Sequence, residues 1–113
     1  MADRPIRVLF QYTLGLPYGQ ASEEERKQAA ESALEMARKW KASGVTYVGY
    51  FGSLAGPGAP EFAHTTVLEV KDFVQVQEMS DELYHSEWGK YVEKYRLEVG
   101  SGWPDLDAFW RSA

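Results

Sequence analysis

The chain has two histidines, His64 and His85, and no cysteine. The missing thiols exclude disulfides, thiol catalysis, iron–sulfur ligation and thiolate zinc sites. A zinc site would need both histidines and a carboxylate, and neither H-E-x-x-H nor any related spacing is present. The run GSLAG at 52–56 is not G-x-S-x-G and does not lead into a helix, so it makes no nucleophile elbow. Gly52, Gly56 and Gly58 are interleaved with Pro57 and Pro60. The prolines deny the free N–H groups that a phosphate cradle needs. The expectation is a protein with no metal and no bound cofactor.

One polar constellation survives this screen. Tyr12, Tyr47 and His64 fall in three separate β-type runs, at positions whose alternation puts all three on the side that carries the apolar residues. Polar groups set among apolar ones need partners. These three either satisfy one another within a core or answer a ligand. In the second case a histidine exchanges protons near neutrality and a tyrosine donates to a developing oxyanion, so all three are catalytic candidates. A fourth is Glu87, which a helical wheel places between Leu83, Tyr84 and Tyr91. A carboxylate desolvated there would suit a general base. A kink at Gly89 would instead turn it outward. His85, at the edge of the same stripe, is an exposed helical histidine, a pocket-mouth residue or a haem ligand. The row Tyr84, Trp88, Tyr91, Tyr95 forms a core face, or some of it lines an aromatic pocket.

Residues 6–12 alternate, with Ile6, Val8, Phe10 and Tyr12 on one face and Arg7, Leu9 and Gln11 on the other, which predicts a strand. The run LGLPYGQ at 14–20 predicts a loop. Ser22 with Glu25 forms a capping box that opens a helix over 22–43, with Ala30, Ala33, Leu34, Ala37 and Trp40 as its inward stripe. Gly44 is its left-handed stop. Residues 45–51 (VTYVGYF) predict a second strand, with Val45, Tyr47 and Phe51 on one face and Thr46, Val48 and Tyr50 on the other. A loop over 52–61 and a third strand over 62–70 follow. From Asp72 the period is helical, with Phe73, Val76, Leu83, Tyr84, Trp88, Tyr91 and Tyr95 on one face and a break expected between His85 and Gly89. Residues 95–99 alternate and read equally as strand or helix. Pro104 suits the first turn of a last short helix.

The length of 113 residues fits one domain, with a core at about 5–99 and an aromatic C-terminal arm at 100–113. An apolar fraction of 44% supports a folded core. Lys+Arg is 12 against 17 Asp+Glu, a net charge of −5. Without a basic stripe, nucleic acid is not an expected partner. No run approaches a membrane span, and residues 1–10 carry no secretory h-region. With no cysteine either, the expected location is the cytoplasm.

The order strand, helix, strand, strand, helix, possible strand predicts an α+β, ferredoxin-like sandwich of antiparallel sheet and helices. The face with Arg7, Leu9, Gln11, Thr46, Val48, Tyr50, Thr65 and Val67 is too apolar for water and too polar for a core. It predicts pairing of two sheets across a homodimer. At 5–99 the chain resembles the dimeric α/β-barrel superfamily. The likeness lies in its strand openings (RVLFQYTLG, VTYVGYFG, TTVLEVKDF) and its aromatic second helix (ELYHSEWGKYVEKY). That superfamily includes antibiotic-biosynthesis-type monooxygenases, EthD-like proteins, stress-responsive barrel proteins and haem-degrading monooxygenases. The resemblance implies two ferredoxin-like protomers sharing a barrel, each with a pocket between sheet and helices. Of the asparagine, tryptophan and histidine used by the haem-degrading branch, Trp88 and His85 are the counterparts it offers, and the chain has no asparagine. The functional expectation is a pocket for a small hydrophobic or aromatic molecule, serving a cofactor-independent monooxygenase or proton-transfer enzyme. The alternatives are a non-catalytic ligand or haem carrier, with His85 or His64 on the iron, and an interaction module.

Overall fold

Four antiparallel strands form one sheet in the order β2-β3-β1-β4, with β1 Ile6–Leu14, β2 Thr46–Gly52, β3 His64–Val70 and β4 Val92–Ser101. This ferredoxin-like α+β fold is seen in a computed structural model that describes residues 4–52 and 62–113. The loop expected at 52–61 lies, beyond Gly52, outside the described residues. Among the described residues there are four α-helices: α1 Leu16–Gln20, α2 Glu23–Ala42, α3 Phe73–His85 and α4 Pro104–Ser112. Helix α1 occupies the stretch expected as loop. It is a single short turn with Pro17 at its second position, where a missing N–H and a fixed φ are tolerated.

Helix α2 starts as the sequence predicts. Ser22 Oγ accepts the Glu25 N–H at 3.1 Å, and the Glu25 carboxylate accepts the Ser22 N–H at 3.0 Å. It ends at Gly44, whose φ of +102° is open only to a residue without a Cβ penalty. The buried stripe is Ala29, Met36 and Trp40, with Ala33 half-buried. This corrects the expected stripe by a fraction of a turn, since Ala30, Leu34 and Ala37 are exposed. Helix α3 buries Gln75, Met79 and Leu83 and leaves Phe73 and Tyr84 exposed. The Gln75 amide is spent on its surroundings: it donates to the Ser43 carbonyl at 3.0 Å and accepts the Lys71 N–H at 2.8 Å. It thereby ties the end of α2 to the start of α3.

The break expected after His85 is present. Ser86 Oγ donates to the Leu83 carbonyl and accepts the Gly89 N–H, both at 2.8 Å, which closes α3. A Cβ on Gly89 would lie only 2.1 Å from the Leu83 carbonyl oxygen, so the reversal needs glycine. A 3-10 turn over Gly89–Tyr91 leads directly into β4, and the ambiguous run 95–99 is strand.

Helices α2 and α3 cover one sheet face. Val8, Phe10, Leu68 and Val70 from the sheet pack with Met36, Trp40, Met79, Leu83, Trp88 and Tyr91. Phe62, expected in that core, is buried apart from it, beneath the cations of Lys94 and Arg96. Among the described helices, α4 alone lies on the opposite face. Arg7 on that face holds the Asp107 carboxylate with both terminal nitrogens, at 3.1 and 2.6 Å, and its Nε donates to Glu69 at 3.0 Å.

Candidate functional site

The side chains that build the site come from one end of the sheet. Tyr12 pairs with His64 across β1 and β3, and with Tyr95 across β1 and β4. Adjacent residues of an antiparallel pair share a face, so His64 lies against the Tyr12 ring, stacked at 4.8 Å and 27°. Trp88, just past the end of α3, meets Tyr12 edge-on at 4.7 Å and Phe10 edge-on at 6.0 Å.

The alternation expected in β2 is broken at Val48. Tyr47 pairs with Leu68, and the next paired residue is Gly49, opposite Val67. Val48 is therefore one residue too many, a β-bulge. Beyond a bulge every side chain changes face relative to a regular strand. Tyr50, assigned from the pattern to the far face, stands instead on the helix side opposite Thr66, and Phe51 moves to the far face. Tyr50 then reaches His64, its phenol 2.5 Å from Nδ1, with the two rings stacked at 5.9 Å. Where the phenol donates, the His64 proton sits on Nε2. Tyr50 is the residue that sequence reasoning missed. Gly49, a lone glycine in a strand run, was the available signal for the bulge.

A cleft of about 330 Å³ opens between this sheet face and α2. Phe10, Tyr12, Met36, Trp40, Leu68 and Trp88 form its floor and inner walls, and Tyr47, Ala37 and Lys41 stand at more exposed positions. Burial raises the Tyr12 phenol above the ordinary tyrosine range, and its neighbours Tyr50 and Tyr18 push it the same way. Tyr12 is thus a hydrogen-bond donor at the end of an apolar cleft, not a phenolate.

The sequence candidates separate accordingly. Tyr12, Tyr47 and Trp88 line the cleft, and His64 backs Tyr12. Glu87 is corrected: α3 has ended before it, so its carboxylate lies in solvent, paired with Lys90 at 2.5 Å. His85 is exposed on the last turn of α3, its Nδ1 2.8 Å from the Asp81 carbonyl. Tyr84 is exposed and borders a second hollow of about 250 Å³ with Gly89, Val92 and Tyr95. Tyr91 is buried in the core, edge-on to Tyr18 at 5.8 Å.

No family model matches the chain, and no curated protein matches it. Solved structures do. A haem-binding protein from Thermus thermophilus superposes with a TM-score of 0.67 at 16% identity, over 88% of this chain and 40% of that one. Chlorite dismutase from Candidatus Nitrospira defluvii superposes with a TM-score of 0.71 at 12% identity, over 99% and 45%. A protein of unknown function from Rhodopseudomonas palustris gives 0.53 at 15% identity, over 90% and 85%. At these identities the likeness is one of fold. The chain spans less than half the length of the first two proteins.

Proposed function

We propose that this chain binds a small, flat, hydrophobic molecule in the cleft between sheet and α2, and works as a homodimer of the dimeric α/β-barrel kind. The cleft carries the reading. Its walls are rings and aliphatic chains, with few polar groups, which is how small-molecule sites are built. Tyr12 supplies a hydroxyl at one end, and the hydrogen-bonded Tyr50–His64 pair stacks behind its ring. Cofactor-independent proton-transfer chemistry on a bound aromatic is the activity these groups suit.

Calorimetric titration with naphthalen-2-ylmethanol tests this reading. Saturable one-to-one binding, abolished in Ala37→Trp where the indole fills the cleft mouth, is the expected result. Binding that Ala37→Trp leaves unchanged would contradict it.

A second reading, haem carriage, is favoured by the likeness to the Thermus haem-binding protein. The donors of this cleft do not fit an axial role. Neither histidine is among its lining residues, and His64 Nδ1 is engaged by Tyr50. Haem titration decides between the readings. A Soret shift lost in His85→Ala or His64→Ala would establish carriage, and the spectrum of free haem would exclude it.

A further inference from the structure

The side chains around the cleft are uneven in charge. Among its described lining residues, Lys41 alone is ionic; the polar remainder is Tyr12, Tyr47 and Thr66, all neutral. Lys41 lies on the last turn of α2, two residues after Lys39. The two lysines have different company. Lys39 points to α3, where its ammonium is 3.3 Å from Glu82, whose other oxygen accepts the Trp40 indole N–H at 3.2 Å. Glu82 is thus engaged by Lys39 and by Trp40, and Lys41 is the cation among the described residues that lines the cleft.

We propose that the ligand of this cleft is an amphipathic carboxylic acid: an aromatic body against Phe10, Trp40 and Trp88, and a carboxylate at the Lys41 ammonium. This deepens the small-molecule reading above and rests on it. The charge complementarity is one-sided. An apolar interior excludes a ligand charged along its length, and a single cation at the rim rewards one anionic head. Tyr12, at the other end, donates to a polar substituent on the far side of the ring. A ligand with two ends of different polarity enters in one orientation, because a carboxylate turned inward would meet aromatic walls and lose its hydration. The ammonium borders solvent, so the pair is partly screened, and its effect falls as salt rises.

The test uses two probes of one shape, naphthalene-2-carboxylate and naphthalen-2-ylmethanol, titrated into the wild type, Lys41→Gln, Lys41→Arg and Ala37→Trp. The wild type binds the carboxylate about fivefold more tightly than the alcohol, a margin within reach of a partly exposed ion pair. Lys41→Gln removes that preference, Lys41→Arg keeps it, and Ala37→Trp removes both ligands. Equal affinities in the wild type, or a preference that persists in Lys41→Gln, would overturn the assignment of the head group while leaving the cleft intact. Failure of both probes to bind, or binding of both to Ala37→Trp, would overturn the cleft reading itself.

Discussion

Tyr50 and His64 decide what the polar end of the cleft is. Their contact at 2.5 Å lies on the helix side only because Val48 is bulged out of β2. Two substitutions separate the hydrogen bond from the stacking. Tyr50→Phe keeps the ring on His64 and loses only the hydroxyl, for about 1 kcal/mol. His64→Ala also strips the stacking from Tyr12, and costs roughly 1–3 kcal/mol. Chemical denaturation of both variants measures this. If the residues form the site, His64→Ala also weakens binding of naphthalen-2-ylmethanol; unchanged binding with lowered stability would make them purely structural. The two residues show what a sequence hides. His64 and Tyr12 were legible from period-two alternation, because β1 and β3 pair without a slip. Tyr50 was not, because VTYVGYF alternates acceptably in either register and only the pairing partner shows which residue is extra. Glu87 misled for a related reason: a helical wheel continues past a helix end unless the cap is seen, and here Ser86 supplies the cap.

At the level of elements, the boundaries follow from local chemistry that is written in the chain. The capping box at Ser22, the stop at Gly44 and the break before Gly89 are all where the residues put them. The rotation of the α2 stripe is different. Ala30, Leu34 and Ala37 are as apolar as Ala29, Ala33 and Met36, so tertiary packing chose between two nearly equal faces. Gly89 is the least replaceable of these devices. Gly89→Ala drives a Cβ into the Leu83 carbonyl, and a loss of about 3 kcal/mol in a urea melt is expected, against a negligible change for Gly19→Ala, which meets open space. Helix α4 depends on charge instead. The Arg7 guanidinium holds the Asp107 carboxyl below its ordinary value, and Arg7 itself is raised. A carboxylate with a lowered folded value contributes stability that is present above its unfolded value, near 3.8, and is lost as pH falls through the folded one. Emission from Trp103 and Trp110 is expected to report release of α4 in that acid range. In Asp107→Asn the transition should vanish, because the helix is already free at neutral pH; an identical acid transition in that variant would place the cause elsewhere.

The whole molecule is flat. Its extents are 50 × 37 × 19 Å, and its radius of gyration is 15.7 Å, where a compact chain of this length has about 13–14 Å. Among the described residues, flatness follows from a sheet with helices α2 and α3 on one side and α4 alone on the other. Phe51 and Val48 are exposed in β2, and Trp103, Leu106, Phe109 and Trp110 are exposed around α4. An apolar area left open in this way is the mark of an interaction surface. The homodimer proposed above would cover that face. Phe51→Lys would place like charges near a two-fold contact, so sedimentation should find a wild-type dimer and a monomeric variant. A wild type that sediments as a monomer at high concentration would leave the open face without this explanation. The fold class was legible from element order alone, since few arrangements bury that sequence of strands and helices. The cleft was foreseen only through the family resemblance, because a gap between α2 and the sheet depends on how far the helix stands off, which no periodicity records.

The four tryptophans divide cleanly between the two surfaces. Trp40 and Trp88 line the cleft, while Trp103 and Trp110 are exposed at and along α4. Their indole N–H signals in a proton–nitrogen correlation spectrum therefore report separately on the cleft and on the open face. Titration with naphthalen-2-ylmethanol should shift the Trp40 and Trp88 signals along one saturating curve and leave Trp103 and Trp110 in place. Shifts confined to Trp103 and Trp110, or none at all at saturating probe, would contradict a binding site between the sheet and α2.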